Sequence, residues 1–184
     1  ARWANVLFDF DTLYGNDDKD TLDGEDGNDE VIGGHDKDTL AGGEQDDTLT
    51  GGEEGGNGDG FEDRFQFDIT VDEPGAGADP SSSYVDSLAI SSHDVITDFE
   101  RNLDVLELDV GGTAVIGNAA DLENYVQVKD ANDDIVIWFD KDGDGSFTSD
   151  AEDSITLQGL GSPGGNLIDS WTELLNTGVK VEIV

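Results

Sequence analysis

A period of nine residues between positions 15 and 50 limits the fold of this chain more than any other feature. Aligned on nine, the stretch reads GNDDKDTLD (15–23), GEDGNDEVI (24–32), GGHDKDTLA (33–41) and GGEQDDTLT (42–50). Every unit opens on glycine (Gly15, Gly24, Gly33, Gly42). The sixth residue is always aspartate (Asp20, Asp29, Asp38, Asp47), and the eighth is always aliphatic (Leu22, Val31, Leu40, Leu49). The preceding FDFDTLY supplies Asp11 and Leu13 in phase. The following GGEEGGNGD places Gly56 where aspartate is expected, and GFEDRFQF restores the pattern at Asp63 and Phe65, two residues out of step. Self-similarity at a fixed short period marks a stacked repeat and outranks residue propensities.

Propensities alone would give another answer. Residues 15–60 hold only five Leu, Ile, Val or Phe and sixteen Asp or Glu, too little apolar area to offset chain entropy. The period resolves this conflict by giving each position a task. Glycine at the head of a unit permits positive φ, so the turn can aim backbone carbonyls inward. Aspartate closes the turn with a carboxylate. The next residue points out and the aliphatic one points in, forming a very short strand. Two units then make one coil, and successive coils build two facing parallel sheets. Carboxylates line up in two columns, Asp11, Asp29 and Asp47 on one edge, Asp20 and Asp38 on the other. At the roughly 5 Å spacing of neighbouring strands, such pairs repel by about 3–4 kcal/mol at an effective dielectric near 20. A cation between coils removes that cost. Ca²⁺, which takes six to eight oxygen ligands, suits aspartate oxygens and turn carbonyls. The competing reading is a set of solvated acidic turns without metal.

Charge and composition narrow the function. With 45 Asp+Glu against 8 Lys+Arg and a net charge of −37, no basic face exists for nucleic acid or an anionic membrane. No apolar run of about 18 residues could span a bilayer. Two histidines and no cysteine exclude the usual zinc, haem and iron–sulfur sites, and disulfides as well. The chain has no methionine and opens in mid-pattern, so it reads as a piece of something longer.

Residues 61–184 are richer in apolar runs such as DVITDF, DVLELDV and DIVIWFD. NAADLENYV, with Asn118 as cap, and DSWTELLNTG, started by Asp169 or Ser170 and ended by Gly178, read as short helices. FDKDGDGSFTSDAED places Asp140, Asp142, Asp144 and Gly145 at EF-hand spacing, with the Ser146 carbonyl as seventh-position ligand. Ala151 stands where the closing Glu belongs, so Asp150, Glu152 or Asp153 must supply it. Strand-like flanks make this a calcium loop in a β-hairpin, or otherwise a plain polar turn. His35 and His93 read as exposed turn residues, the three tryptophans as core or capping aromatics, and 78–84 as a loop.

The nonapeptides resemble those of RTX proteins, over about 11–67. HDVITDFERNLDVLEL, DIVIWFDKDGDGSFTSDAEDSITLQGL and WTELLNTGVKVEIV resemble the C-terminal target region of large bacterial RTX adhesins. The resemblance implies a mainly all-β fold: a right-handed parallel β-roll over 1–67, a loop or linker over 68–93, and a β-rich capping and secretion-target domain with one or two short helices over 94–184. It implies several Ca²⁺ ions, held at Asp11, Asp20, Asp29, Asp38, Asp47 and Asp63 with Gly15, Gly24, Gly33 and Gly42. It further implies a monomeric, non-catalytic module recognised at its C-terminal region by a type I secretion machinery (an ABC exporter), and located outside the cell on a larger surface protein. The alternative is an adhesion module that contacts a surface or glycan directly, although the turns show no repeated Thr or Asn ladder. No HExxH or GxSxG motif suggests an enzyme.

Overall fold

The computed structural model describes residues 10–53, 55, 58–72, 87–90, 92–111, 119–131, 133–140, 147, 153–161 and 168–184. Its strands are β1 (Thr12–Asn16), β2 (Thr21–Asp23), β3 (Glu30–Gly34), β4 (Thr39–Ala41), β5 (Thr48–Thr50), β6 (Arg64–Asp68), β7 (Thr70–Asp72), β8 (Ser87–Ala89), β9 (His93–Ile96), β10 (Val105–Asp109), β11 (Val126–Ala131), β12 (Asp134–Phe139), β13 (Asp153–Leu157) and β14 (Lys180–Ile183). Alternate units feed alternate sheets. One sheet runs β1-β3-β5-β9-β13-β12-β11 and the other β14-β10-β6-β4-β2. Pairing is parallel throughout the second sheet and from β1 to β13 in the first.

The register places the eighth-position residues in unbroken rows. Leu13, Val31, Leu49, Ile96, Leu157 and Ile135 align across the first sheet. Leu22, Leu40, Phe65, Leu106 and Val181 align across the second. These rows face each other and form the core, with Val31, Leu40, Leu49, Phe65, Ile96 and Leu106 wholly buried. Leu13 and Leu22, in the first coil, are only partly buried against that core. The small apolar content of 15–60 therefore suffices because each strand contributes one side chain to a seam that later strands widen.

The expected end of the roll at 67 does not interrupt the sheets, since β9 stacks on β5 and β10 on β6. Nor is 68–93 only a linker, because β7 and β8 pair antiparallel within it. At the far end β14 adds in parallel to β10, and Arg64 ties it down, with Nη1 donating to Glu107 at 2.6 Å and to Glu182 at 2.7 Å. The first expected helix is a 3₁₀ turn, Ala119–Asn124. The second is the α-helix α1 (Trp171–Asn176), capped by Ser170, whose side chain accepts from the Glu173 N–H. Gly178 follows it with φ of 95°, the left-handed stop that glycine supplies. Trp171 is a core residue, 1% exposed, and its indole donates to the Ala119 carbonyl.

Candidate metal centre: two ladders of buried aspartates

The two expected carboxylate columns are present, and both continue beyond the repeats. On one edge the backbone N–H of Asp11 donates to Asp29 Oδ1, that of Asp29 to Asp47 Oδ1, and that of Asp47 to Asp94 Oδ1, at 2.7–2.9 Å. On the other edge Asp20 donates to Asp38, Asp38 to Asp63 and Asp63 to Asp104, at 2.8–3.0 Å. Each aspartate thus reads its equivalent one coil away with a single oxygen. Asp29, Asp38, Asp47 and Asp63 are 1–2% exposed; Asp11, in the first coil, is exposed.

The other oxygen identifies the chemistry. Oδ2 of Asp20, Asp38 and Asp47 is buried without a hydrogen-bond partner, an arrangement that costs several kcal/mol per ionised group unless a cation answers it. Each of these oxygens faces the glycine that opens its own unit. A Cβ on Gly15 would lie 2.8 Å from Asp20 Oδ2, one on Gly33 2.5 Å from Asp38 Oδ2, and one on Gly42 would collide with Asp47. The same point beside Gly33 is 2.5 Å from the Gly51 carbonyl, one coil on. Beside Gly15 and Gly24 the carbonyls of Gly33 and Gly42 play that part. A carboxylate oxygen and a carbonyl oxygen from adjacent coils therefore share a cradle that only glycine leaves open.

This corrects the expected role of those glycines. None of Gly15, Gly24, Gly33 and Gly42 has positive φ; they are required because a side chain would fill the cradle. Positive φ falls on the second and fourth residues of each unit: Asn16 and Asp18, Glu25 and Gly27, Gly34 and Asp36, Gly43 and Gln45. Only three of these eight are glycine, so the repeat tolerates left-handed strain at five positions.

Burial shapes the electrostatics. Desolvation, with repulsion from aspartates on the same edge, pushes Asp47 up to about 6 and Asp63 up to about 8, and raises Asp38. In the metal-free protein burial thus works against the charged carboxylates, and a divalent cation, which binds the ionised form, competes with the proton for these oxygens and relieves the cost of their charge. Among the described residues no three acidic or histidine side chains converge on one point. Carbonyl oxygens of the turns must therefore complete any coordination shell, in keeping with the hard, oxygen-only preference of Ca²⁺.

Sequence reasoning did not find the upper ends of the columns, Asp94, Asp98 and Asp104. There both carboxylate oxygens meet protein donors. Asp94 Oδ2 accepts from Ser92 Oγ at 2.6 Å, and Asp104 Oδ2 from the Glu100 N–H at 2.7 Å. Asp98 receives the N–H groups of Gly51 and Gly52 on its two oxygens, both at 2.8 Å.

Of the second expected calcium loop, Asp140 lies within the described residues, 6% exposed, directly after β12. Asp142, Asp144, Ser146 and Asp150 lie outside them. The flanking strands do form a hairpin, with Phe139 opposite Asp153. His35 is exposed and pairs with Glu53 at 3.2 Å. His93 contacts Ser154 Oγ at 3.0 Å.

A comparison with protein-family models agrees with this geometry. Residues 8–40 and 32–53 match the family model of the RTX calcium-binding nonapeptide repeat (four copies). A search among curated proteins found no match. Among solved structures, the chain is similar to the AlgE6R3 subunit of mannuronan C5-epimerase from Azotobacter vinelandii, at 19% identity, covering 84% of this chain and 74% of that one with a TM-score of 0.43. It is also similar to the AlgE6R2 subunit, at 21% identity over 80% and 83% with a TM-score of 0.41. Residues 8–53 carry RTX calcium-binding nonapeptide repeats, and those of them that are described are wound into a β-roll.

Proposed function

We propose that this chain is the non-catalytic, calcium-folded C-terminal module of a secreted bacterial RTX adhesin, exported unfolded by a type I machinery and folded outside the cell. The observation that carries this reading is the row of buried aspartate oxygens that face glycine cradles and lack a protein partner. In a low-calcium cytoplasm those columns repel, and the apolar-poor repeats have little to set against the repulsion. Outside, a site at ten times its dissociation constant contributes about 1.4 kcal/mol. Several such sites supply much of the stability of a domain. Extracellular calcium modules bind at about 10⁻⁴–10⁻³ M, which discriminates outside from inside.

The C-terminal side supports nucleation from that end. Its carboxylates already hold protein donors, and its core includes Phe65, Leu106, Phe139 and Trp171, each 0–1% exposed. In this reading the export signal lies in roughly the last third, and β14 becomes available to the exporter only in the unfolded chain. Among the described residues no helix is long and apolar enough to cross a membrane.

Calcium titration of chelated protein followed by far-UV circular dichroism tests the folding step. A cooperative gain of β signal at sub-millimolar to millimolar Ca²⁺, absent with Mg²⁺, is expected; an apo chain already fully folded and indifferent to calcium overturns the reading. The export step is checked separately by secretion through a type I exporter with and without residues 170–184.

A further inference from the structure

Alternation along each strand gives the first sheet an outer face as regular as its core. Leu13, Val31, Leu49, Ile96 and Leu157 point inward, so their chain neighbours point outward. Tyr14 aligns with Ile32, and Ile32 with Thr50. Thr97 and Gln158 extend this row past the ends of β9 and β13. The Thr97 N–H donates to the Leu49 carbonyl and the Gln158 N–H to the Ile96 carbonyl. Five positions at the spacing of neighbouring strands span about 19 Å.

Two hollows open along the row. They share Ile32, which is 3% exposed although it faces away from the core. One, of about 420 Å³, has Tyr14, Asp17, His35 and Glu53 in its walls. The other, of about 200 Å³, is lined by Glu30, Thr48, Thr50, Thr97 and Gln158. No aspartate of the two columns lines either hollow.

The lining chemistry selects a class of ligand. Asp17, Glu30 and Glu53 are accompanied by no lysine or arginine among the described residues of the two hollows. Glu53 meets His35 Nε2 with Oε1 at 3.2 Å, and 73% of its side chain remains exposed. These charges attract cations, and the net charge of −37 turns anions away. Tyr14 is 52% exposed, which leaves its ring open to stacking or to a cation above its face. Thr50 and Thr97 meet Oγ1 to Oγ1 at 2.7 Å; such hydroxyls, like the Gln158 amide, both donate and accept. That set suits a ligand rich in hydroxyls, whereas a hydrocarbon would leave it unpaired. An extended peptide gains nothing here as an added strand, because β3, β5 and β9 are already paired on both sides.

We propose that this trough binds a linear oligosaccharide of positively charged amino sugars. Tyr14 stacks on a sugar ring, and Asp17, Glu30 and Glu53 pair with ammonium groups. Thr50, Thr97 and Gln158 exchange hydrogen bonds with sugar hydroxyls. The row is long enough for a chain rather than a single ring. This inference goes beyond the folding role and needs only the folded roll.

The test is calorimetric titration of the full chain in saturating CaCl₂ and physiological salt. The ligands are the glucosamine tetramer, its N-acetylated counterpart, a uronate tetramer and spermine. The glucosamine tetramer should bind, and N-acetylation, which removes its charge, should weaken it about tenfold. Tyr14→Ala and Glu53→Gln should each weaken it to a similar extent, with circular dichroism showing that both keep their β signal. Glu44→Gln, at an exposed carboxylate that lines neither hollow, should leave it unchanged. Equal binding of spermine, equal losses in E44Q and E53Q, or no effect of Y14A means attraction of any polycation to an acidic chain and overturns the assignment. Absence of binding, or preference for the acetylated or uronate tetramer, overturns it too. Wild-type amide resonances give a reading free of any variant: Tyr14, Ile32, Thr50 and Thr97 should shift together, and shifts confined to other residues refute the proposal. A chain that binds the tetramer through this face yet folds without calcium overturns the folding reading alone.

Discussion

Gly24→Ala separates the cradle from every other role a glycine can have. Gly24 does not have positive φ, so alanine brings no backbone strain. Its Cβ would lie 2.6 Å from Asp29 Oδ2 and 3.0 Å from Asp29 Cβ, and would collide with the Gly42 carbonyl. Overpacking of that kind costs about 1–3 kcal/mol. Losing one site at ten times its dissociation constant costs about 1.4 kcal/mol more, for a sum of about 2–4 kcal/mol. If about four ions bind with folding, 3 kcal/mol moves the calcium midpoint about three- to fourfold upward. Gly159→Ala is the control. Gly159 has φ of 72° and nothing within 4 Å of a Cβ, so alanine costs about 1 kcal/mol of strain without touching a cation site. Calcium titrations followed by circular dichroism should show a midpoint raised about three- to fourfold for G24A and only about 1.5-fold for G159A. Equal shifts in the two variants, or none in G24A, would refute the cradle argument.

Two further outcomes follow from the strain and charge described above. Glu25 holds φ of 71° at the position where Gly43 stands one coil later with φ of 112°, so Glu25→Gly should stabilise the calcium-loaded roll by about 1 kcal/mol, or about 2–4 °C in a thermal melt. For pH, burial raises the folded-state carboxylates, so the native chain binds more protons than the unfolded one. The stability this lends is complete below pH 4 and lost as pH rises through about 6 for Asp47, 7 for Asp94 and Asp104, and 8 for Asp63. Urea midpoints in chelator should therefore fall between pH 4 and 8 and flatten in saturating calcium. A midpoint that climbs over that range without metal contradicts the desolvation described for these groups.

The repeats were legible because their information is local. Glycine, aspartate and an aliphatic residue recur every nine positions, and two units per coil place Asp11, Asp29 and Asp47 opposite Asp20 and Asp38 without further knowledge. The continuation was not legible as a period, since Asp94 follows Asp47 by 47 residues and Asp104 follows Asp63 by 41. A weaker signal existed. Asp63-Arg64-Phe65, Asp94-Val95-Ile96 and Asp104-Val105-Leu106 each repeat the aspartate–any–apolar triplet of the regular units without its glycine turn. The role of the first-position glycines was misread because the residue type reveals freedom of φ and freedom from a side chain equally, and only the position of the neighbouring coil tells them apart.

The closure of the column ends by Asp94, Asp98 and Asp104 has a consequence for the lengths such a chain can take. Because neighbouring units belong to opposite sheets, the two ends of the roll are matched by parity. Removing 24–41, two units, deletes one whole coil and leaves each remaining strand in its own sheet. Removing 24–32 alone would send every upstream strand to the other sheet and present each terminal carboxylate with the wrong edge. A roll closed in this way can lengthen or shorten by even numbers of units only, so its natural quantum is the pair.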